Sequence, residues 1–558
     1  MPQQKIKIKC LNNNISKNYA KSSTLADIAR DLNIQLKAPI IGALVNNRVA
    51  DMAYEVYHPK QIRFVDITHP DGMRIYIRSL CFILYKAVHD LYPGAQLTIE
   101  HSVSKGIYCE IKKDDRKELD IQEVFAIGQR MREIVDMDLP FIKDQRETEE
   151  VIEILENQNL SDKTDLLRHR GKVFTTFYWL DTMANMFYGF LAPSTGFIKV
   201  FDLNKYYKGI LLQLPRTDNP NEVAELIIQD KMFEIFREHA TWNKVLKISH
   251  IGELNQSAQN GASETLIKVS EALHEKKISQ IADKISGHHN KIKIVLISGP
   301  SSSGKTTFSK RLAIQLLVSG ISPVNLSLDN YFVDREHTPL DENGEYDFEA
   351  LEALDIELFN QNLIDLLAGK KVEIPKFSFQ TGQRVFDGEV LQLHENNILI
   401  IEGIHALNPQ LTHLIDASSK FKIYISALTT INIDNHNRIH TTDNRLIRRI
   451  VRDYKYRHYS AQNTISRWPS VRRGEDKHIF PFQEEADVMI NTALLYELAV
   501  LKPLAEPILL EVQPNQPEFS EARRLLKFFS YFKPILKQNE IPPTSIIREF
   551  LGGSSFNY

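Results

Sequence analysis

The chain has 558 residues, 43% hydrophobic, 25% charged and 9% aromatic. That is the composition of an ordinary globular protein, and a chain too long for one core is expected to form about two to four domains. A net charge of −3 excludes recognition of nucleic acid or an anionic membrane through overall basicity, leaving any anion binding to local patches. The cysteines, Cys10, Cys81 and Cys109, are scattered and form no CxxC pair. They support neither a disulfide framework nor a zinc ribbon, and they suit a reducing compartment. No apolar run approaches the roughly 18 residues of a membrane span, the strongest being broken by Arg78. The opening MPQQKIKIKC carries no apolar segment of the secretory-signal type. The expected location is cytoplasmic, with no membrane partner.

In chain order, IKIKC alternates as a strand and TLADIARDL has helical spacing. IIGALVNNRVADM and IRFVDIT read as further strands, with Asn46-Asn47 as a tight turn. Residues 1–70 are thus expected to form a small mixed domain. After HPDG at 69–72, RSLCFILYKAVHDLYPG reads as a helix stopped by Pro93-Gly94. Mixed strands and helices follow, with loops at 193–196 and 215–221, and define a second region, 71–250. ELNQSAQNGA is polar and turn-rich, and Leu266, Val269, Leu273, Ile278, Ile281 and Ile285 then form a helical stripe. Gly287-His288-His289-Asn290 breaks it. Residues 251–286 are read as linker and helix, with a new domain, 287–512, expected to be self-sufficient.

From residue 292 strand and helix alternate. IKIVLIS, VNLSLD, NILIIEGI and FKIYISA read as strands, and SKRLAIQLLVSG as an amphipathic helix. This grammar implies an α/β fold, a mostly parallel sheet flanked by helices, after more mixed α+β regions. The tail, 513–558, contains SEARRLLKFFSYFKPIL and reads as a helix docking on a neighbour.

The most specific signal is a full GxxxxGK[ST] match followed by a second threonine: Gly299, Pro300, Ser301, Ser302, Ser303, Gly304, Lys305, Thr306 and Thr307. It lies between an apolar strand and a helix, where a phosphate-cradling loop must lie. Glycines admit phosphates to backbone N–H groups, Lys305 can reach the β- and γ-phosphates, and Thr306 can ligate Mg²⁺. Asp329 ends the next strand and is a candidate base for an attacking hydroxyl, or else a turn-capping residue. Glu402 ends the apolar strand ILIIE, where it could hold Mg²⁺ or orient the nucleophile. Residues 438–473 carry ten Lys or Arg against two Asp. Within them Arg445, Arg448, Arg449, Arg452 and Arg457 stand at helical spacings, as in a lid closing over transferring phosphates.

Taken together, GPSSSGKTT, LSLDNYF, EYDFEAL, PKFSFQTGQR, IIEGIHAL, RRIVRD and EEADVMIN make residues 292 to about 510 resemble the uridine kinase and phosphoribulokinase family. The resemblance implies a P-loop NTPase fold and a kinase using ATP or GTP with Mg²⁺ to phosphorylate the 5′-hydroxyl of a nucleoside. It implies Asp329 as base, Asp347 as a ribose contact, Phe377 and Arg384 in the substrate loop, and Arg449 and Arg452 as phosphate and substrate contacts. Phe332, Phe377 and Gly382 depart from the residues that read a uracil base, and His458-Tyr459 replaces a Gly-Arg pair. Residues 5–68, with GALVNNRV, resemble the TGS domain of threonyl-tRNA synthetase. Residues 73 to about 245, with LYPGAQLTIEHSVSKGIYCEI and PSTGFIKVF, resemble its editing-type second domain. The four editing positions hold Arg78, Phe82, Phe187 and Leu191, none able to ligate a metal. The alternatives are a kinase for another small alcohol, such as a sugar phosphate or pantothenate-like acceptor, and an RNA-associated regulatory NTPase. RNA contact through the first half and homo-oligomer formation both stay open.

Overall fold

The computed structural model describes residues 5–113, 117–342, 344–378 and 380–557. The first strand, Lys5–Cys10, alternates exposed lysines with buried Ile6, Ile8 and Cys10. It joins a five-stranded sheet in the order Ser16–Ala20, Lys5–Cys10, Lys60–Val65, Gly42–Val45, Arg48–Ala50. Asn46 and Asn47 close the last hairpin at φ 47° and 58°, the left-handed pair a two-residue turn demands.

The long helix of the second region, Pro70–Leu91, starts inside the HPDG segment that reads as a break. Proline is tolerated in a first turn because no N–H is needed there. The Asp71 N–H is instead satisfied by His69 Nδ1 at 3.1 Å. Two antiparallel sheets surround this helix. One runs Asp202–Tyr206, Gly209–Gln213, Gly106–Lys112, Gln96–Val103, and the other Phe141–Glu147, Phe174–Leu180, Met183–Asn185.

The C-terminal half is built on a five-stranded, all-parallel sheet ordered Ser322–Ser327, Asn397–Glu402, Ile294–Ser298, Lys420–Ser426, Val488–Asn491. Period-two alternation splits its side chains between two cores. Ile294, Leu296, Leu399, Ile401, Tyr424 and Met489 face the helix Ile356–Leu367. Val295, Ile297, Ile398, Ile400, Ile423, Ile425 and Ile490 face the helix Lys305–Val318.

Neither face is covered from within 287–512 alone. The helix Ser263–Ser286 lays Ile278, Ile281, Ala282 and Ile285 onto one core, and the helix Asp230–Leu246 lays Met232, Ile235 and Phe236 onto the other. The segment read as linker and helix is therefore a wall of the sheet's core. A chain beginning at residue 287 would expose the surface under three isoleucines. At about 1.5–3 kcal/mol each, their loss approaches the roughly 5–15 kcal/mol stability of a whole domain. Such a fragment is expected to be insoluble or molten, whereas the full chain is folded; circular dichroism and size-exclusion profiles of the two check this.

The second region and the sheet domain also share a core. Leu80, Ile83 and Leu84 of the long helix belong to the same apolar cluster as Leu446, Ile447, Ile450 and Val451 of the helix Thr441–Arg457, and as Leu525 and Phe528 of the tail helix Phe519–Phe529. Lys163 and Asp434, both fully buried, form an ion pair across this seam. His101 stacks on Phe236 with centroids 3.5 Å apart. Burial, with Arg438 in support, pulls its pKa down to about 3, and burial likewise takes His239 to about 4. Both stay neutral when folded, whereas the unfolded chain takes up their protons below about pH 6.5. Their contribution is thus complete above pH 6.5 and lost as pH falls towards 4, by about tenfold in the folding equilibrium per unit per histidine. The unfolding midpoint should fall across that window, and less steeply in His101→Gln.

Candidate active site

Phosphate-loop geometry follows from tight packing at the end of the central strand. A side chain at Gly299 would meet the Ile425 carbonyl oxygen at 2.1 Å, so only glycine fits. Ser302 and Gly304 turn the chain at φ 60° and 86° into the helix Lys305–Val318. Inside the loop Lys305 Nζ donates to the carbonyls of Gly299 (2.9 Å) and Pro300 (3.2 Å). Ser302 and Ser303 hold buried hydroxyls with no hydrogen-bond partner among the described residues.

Around Lys305 the C-terminal strand ends converge. Thr306 Oγ1 donates to Glu402 Oε1 at 3.0 Å, joining the two candidate metal-holding groups. Asp329 follows the strand Ser322–Ser327 in a short 3-10 turn, with its own N–H donated to Ser327 Oγ. Burial draws the Lys305 ammonium below its ordinary range, opposed by the carboxylates of Glu402, Asp329, Glu349 and Glu549. Asp329 as a residue is exposed, yet its carboxyl is enclosed enough that burial raises it against the pull of Lys305, Arg457 and Arg452. Glu402 is pushed up to about 7 by burial and by Asp329, against Lys305 and the Thr306 hydrogen bond.

The basic helix divides its arginines. Arg449 Nη1 donates to Ser301 Oγ at 2.9 Å. Arg452 donates to Asp453 at 2.8 and 3.0 Å, and Asp453, despite burial, is held below the carboxylate range by Arg452, Arg449 and Arg457. Arg445 and Arg448, read from sequence as lid candidates, are instead 1% and 0% exposed. Arg445 pairs with buried Glu475 and donates to the Ser301 carbonyl; Arg448 pairs with Glu497 and donates to the Thr492 carbonyl. These two brace the phosphate loop from behind, because the same helix buries Leu446, Ile447 and Ile450 and carries its arginines inward with them.

The substrate-side residues are less gathered. Asp347 accepts from the Glu349 N–H at 3.1 Å as a turn residue and does not join the group around Lys305. Glu349 does. It is pushed up to about 7 by burial, with Glu475 and Asp329 adding to Arg449 and Lys305 opposing, and its Oε2 is buried without a partner. Arg384 pairs with Asp355 at 2.7 Å, and the Phe377 ring lies 5.5 Å from that of Phe332. Sequence reasoning missed Glu349, although it lies in EYDFEAL, and also Glu475, which stands 30 residues from its partner Arg445 with no local signal. It missed the tail as well: Thr307 donates to Glu549 at 2.8 Å, and a side chain at Gly304 would meet Ile546.

Chemically, this is a cationic cradle beside carboxylates at the C-terminal edge of a parallel sheet, where such folds bind ligands. The family described as Phosphoribulokinase / Uridine kinase family matches residues 294–496. A uridine kinase of Staphylococcus aureus (strain JH9) is 32% identical over 199 residues, 35% of this chain and 86% of the relative. Among solved structures, a possible uridine kinase from Bacillus stearothermophilus matches at 19% identity over 38% of this chain and 97% of that one, with a TM-score of 0.26. A D-glycerate 3-kinase from Cryptococcus neoformans matches at 14% identity over 48% and 89%, with a TM-score of 0.23. On its match to the curated relative, which it covers almost end to end, the chain belongs to the phosphoribulokinase/uridine kinase family.

Proposed function

We propose that the protein transfers the γ-phosphoryl group of ATP or GTP to the 5′-hydroxyl of a nucleoside of the uridine or cytidine type. The observation that carries this reading is the convergence of Asp329 and the Thr306–Glu402 pair on Lys305, with Arg449 on the phosphate loop at Ser301. Asp329 is the proton acceptor for the attacking hydroxyl; its raised carboxyl, beside Lys305 at the strand end, suits a base. Lys305, Arg449 and Arg452 offset charge on the transferring group, and the loop N–H groups orient it.

Among the described residues no group of three or more His, Cys, Asp or Glu is arranged to hold a metal. Thr306 Oγ1 and Glu402 Oε1, 3.0 Å apart, fit Mg²⁺ as it is usually held beside nucleotide, by one or two protein oxygens with phosphates and water completing the shell. Bound there, Mg²⁺ would neutralise phosphate charge.

A second reading, phosphorylation of another small alcohol such as a sugar phosphate, is favoured by one feature. Where a base-reading side chain would stand, Gly382 is covered by Arg335, whose Nε lies 2.8 Å from the site of any Cβ there. The experiment is nucleotide turnover with a panel of nucleosides and phosphorylated sugars. Turnover only with a pyrimidine nucleoside is expected. Turnover only with a sugar phosphate selects the second reading, and acceptor-independent hydrolysis sinks both.

For the first half we infer a synthetase-like architecture without editing chemistry. Arg78, Phe82, Phe187 and Leu191 support this: Phe82 and Phe187 are buried with ring centroids 5.4 Å apart, Leu191 is in the same core, and Gly189 leaves room for the Arg78 guanidinium.

A further inference from the structure

Between the long helix and the segment leading into the basic helix lies a small cavity of about 30 Å³, lined by Arg74, Arg78, Cys81, Tyr188, Arg438 and His440 among others, with no carboxylate among the described residues of its wall. The nearby acids are committed elsewhere. Asp71 and Glu521 accept from Arg74 at 2.7 and 3.0 Å, and both oxygens of Asp443 accept from Arg524 at 2.7 Å. Arg78 spends its Nε on the Phe190 carbonyl at 3.0 Å and lies over the Tyr188 ring. Arg438 meets His440 Nδ1 at 2.9 Å, and its own Nε is buried without a partner. Since Nδ1 of His440 accepts, its Nε2 carries the hydrogen and is a donor.

Two largely enclosed guanidiniums with no carboxylate partner among the described residues are costly, because a desolvated charge needs a counter-charge. Burial accordingly lowers both, opposed by Tyr188 and by Asp71 for Arg78 and Asp443 for Arg438. The planar fork of arginine fits the paired oxygens of a phosphoryl group. We propose that this pocket binds a phosphate-type oxyanion between Arg78 and Arg438, with the His440 Nε2–H as a further donor. Ile77, Ile99 and Ile107 line the remainder of the wall.

The test uses the full chain with its phosphate loop already filled by a non-hydrolysable ATP analogue and Mg²⁺. Calorimetric titration with inorganic phosphate and, separately, glycerol 3-phosphate should reveal one additional site. Tighter binding of one of the two identifies the source as free phosphate or a phosphomonoester. Arg438→Met and Arg78→Met should each weaken it by at least about tenfold, the worth of one charge-assisted hydrogen bond, while leaving affinity for the ATP analogue unchanged. No saturable binding of either probe, or equal affinity in Arg438→Met, would overturn the proposal. Should the variants not fold, crystals of the unaltered protein soaked in tungstate decide it: an anomalous peak within hydrogen-bond distance of both guanidiniums is expected, and its absence refutes the site. A crystal peak without saturable binding in solution, an adventitious ion only, refutes it equally.

Discussion

Asp329→Asn is expected to lower turnover by about 10²–10⁴ while ATP affinity stays nearly unchanged. The amide keeps the shape of the carboxylate and its place after the strand Ser322–Ser327, but it cannot accept a proton at neutral pH. Asp329 also raises the neighbouring Glu402 carboxyl, so its neutralisation lets Glu402 ionise more readily. Cation and nucleotide binding should therefore not suffer. Steady-state rates at saturating nucleotide, with fluorescence titration of an ATP analogue, separate the two effects. Collapsed ATP affinity with normal saturated turnover would assign Asp329 to the nucleotide instead.

Lys305→Ala is expected to reduce turnover by about 10²–10³ in a protein that remains folded. Lys305 is the cation shared by Asp329, Glu349 and Glu402, so its loss removes both the charge facing the transferring phosphoryl group and the brake on carboxyl protonation. The loop itself should survive, because Arg445, Arg448 and Thr492 hold its backbone from the opposite side. Turnover assays paired with thermal melts check both parts. Turnover like that of the unaltered protein would remove the phosphate-loop assignment, and a large fall in the melting midpoint would show that the lysine carries structure.

Much of the site was legible in the chain because its signals are local. A glycine-rich turn between an apolar strand and a helix, and carboxylates at the ends of apolar strands, are written within a few residues of each other, and Lys305, Thr306, Asp329 and Glu402 meet as that grammar requires. The Asn46-Asn47 turn was legible for the same reason. The alternation of apolar strands with helices likewise implied a sheet buried on both faces, although not what buries it.

Tertiary structure alone decided the rest. Five arginines at helical spacing look alike in sequence; burial against Glu475 and Glu497 separates Arg445 and Arg448 from Arg449 and Arg452. Glu349 rather than Asp347 reaches the cleft because a turn directs the backbone there. The helices Ser263–Ser286 and Asp230–Leu246 close the sheet's two cores from outside the stretch that carries the kinase motifs. Periodicity reports which face of an element is apolar, whereas the partner of that face, or of a buried charge, is set by packing between residues far apart in the chain.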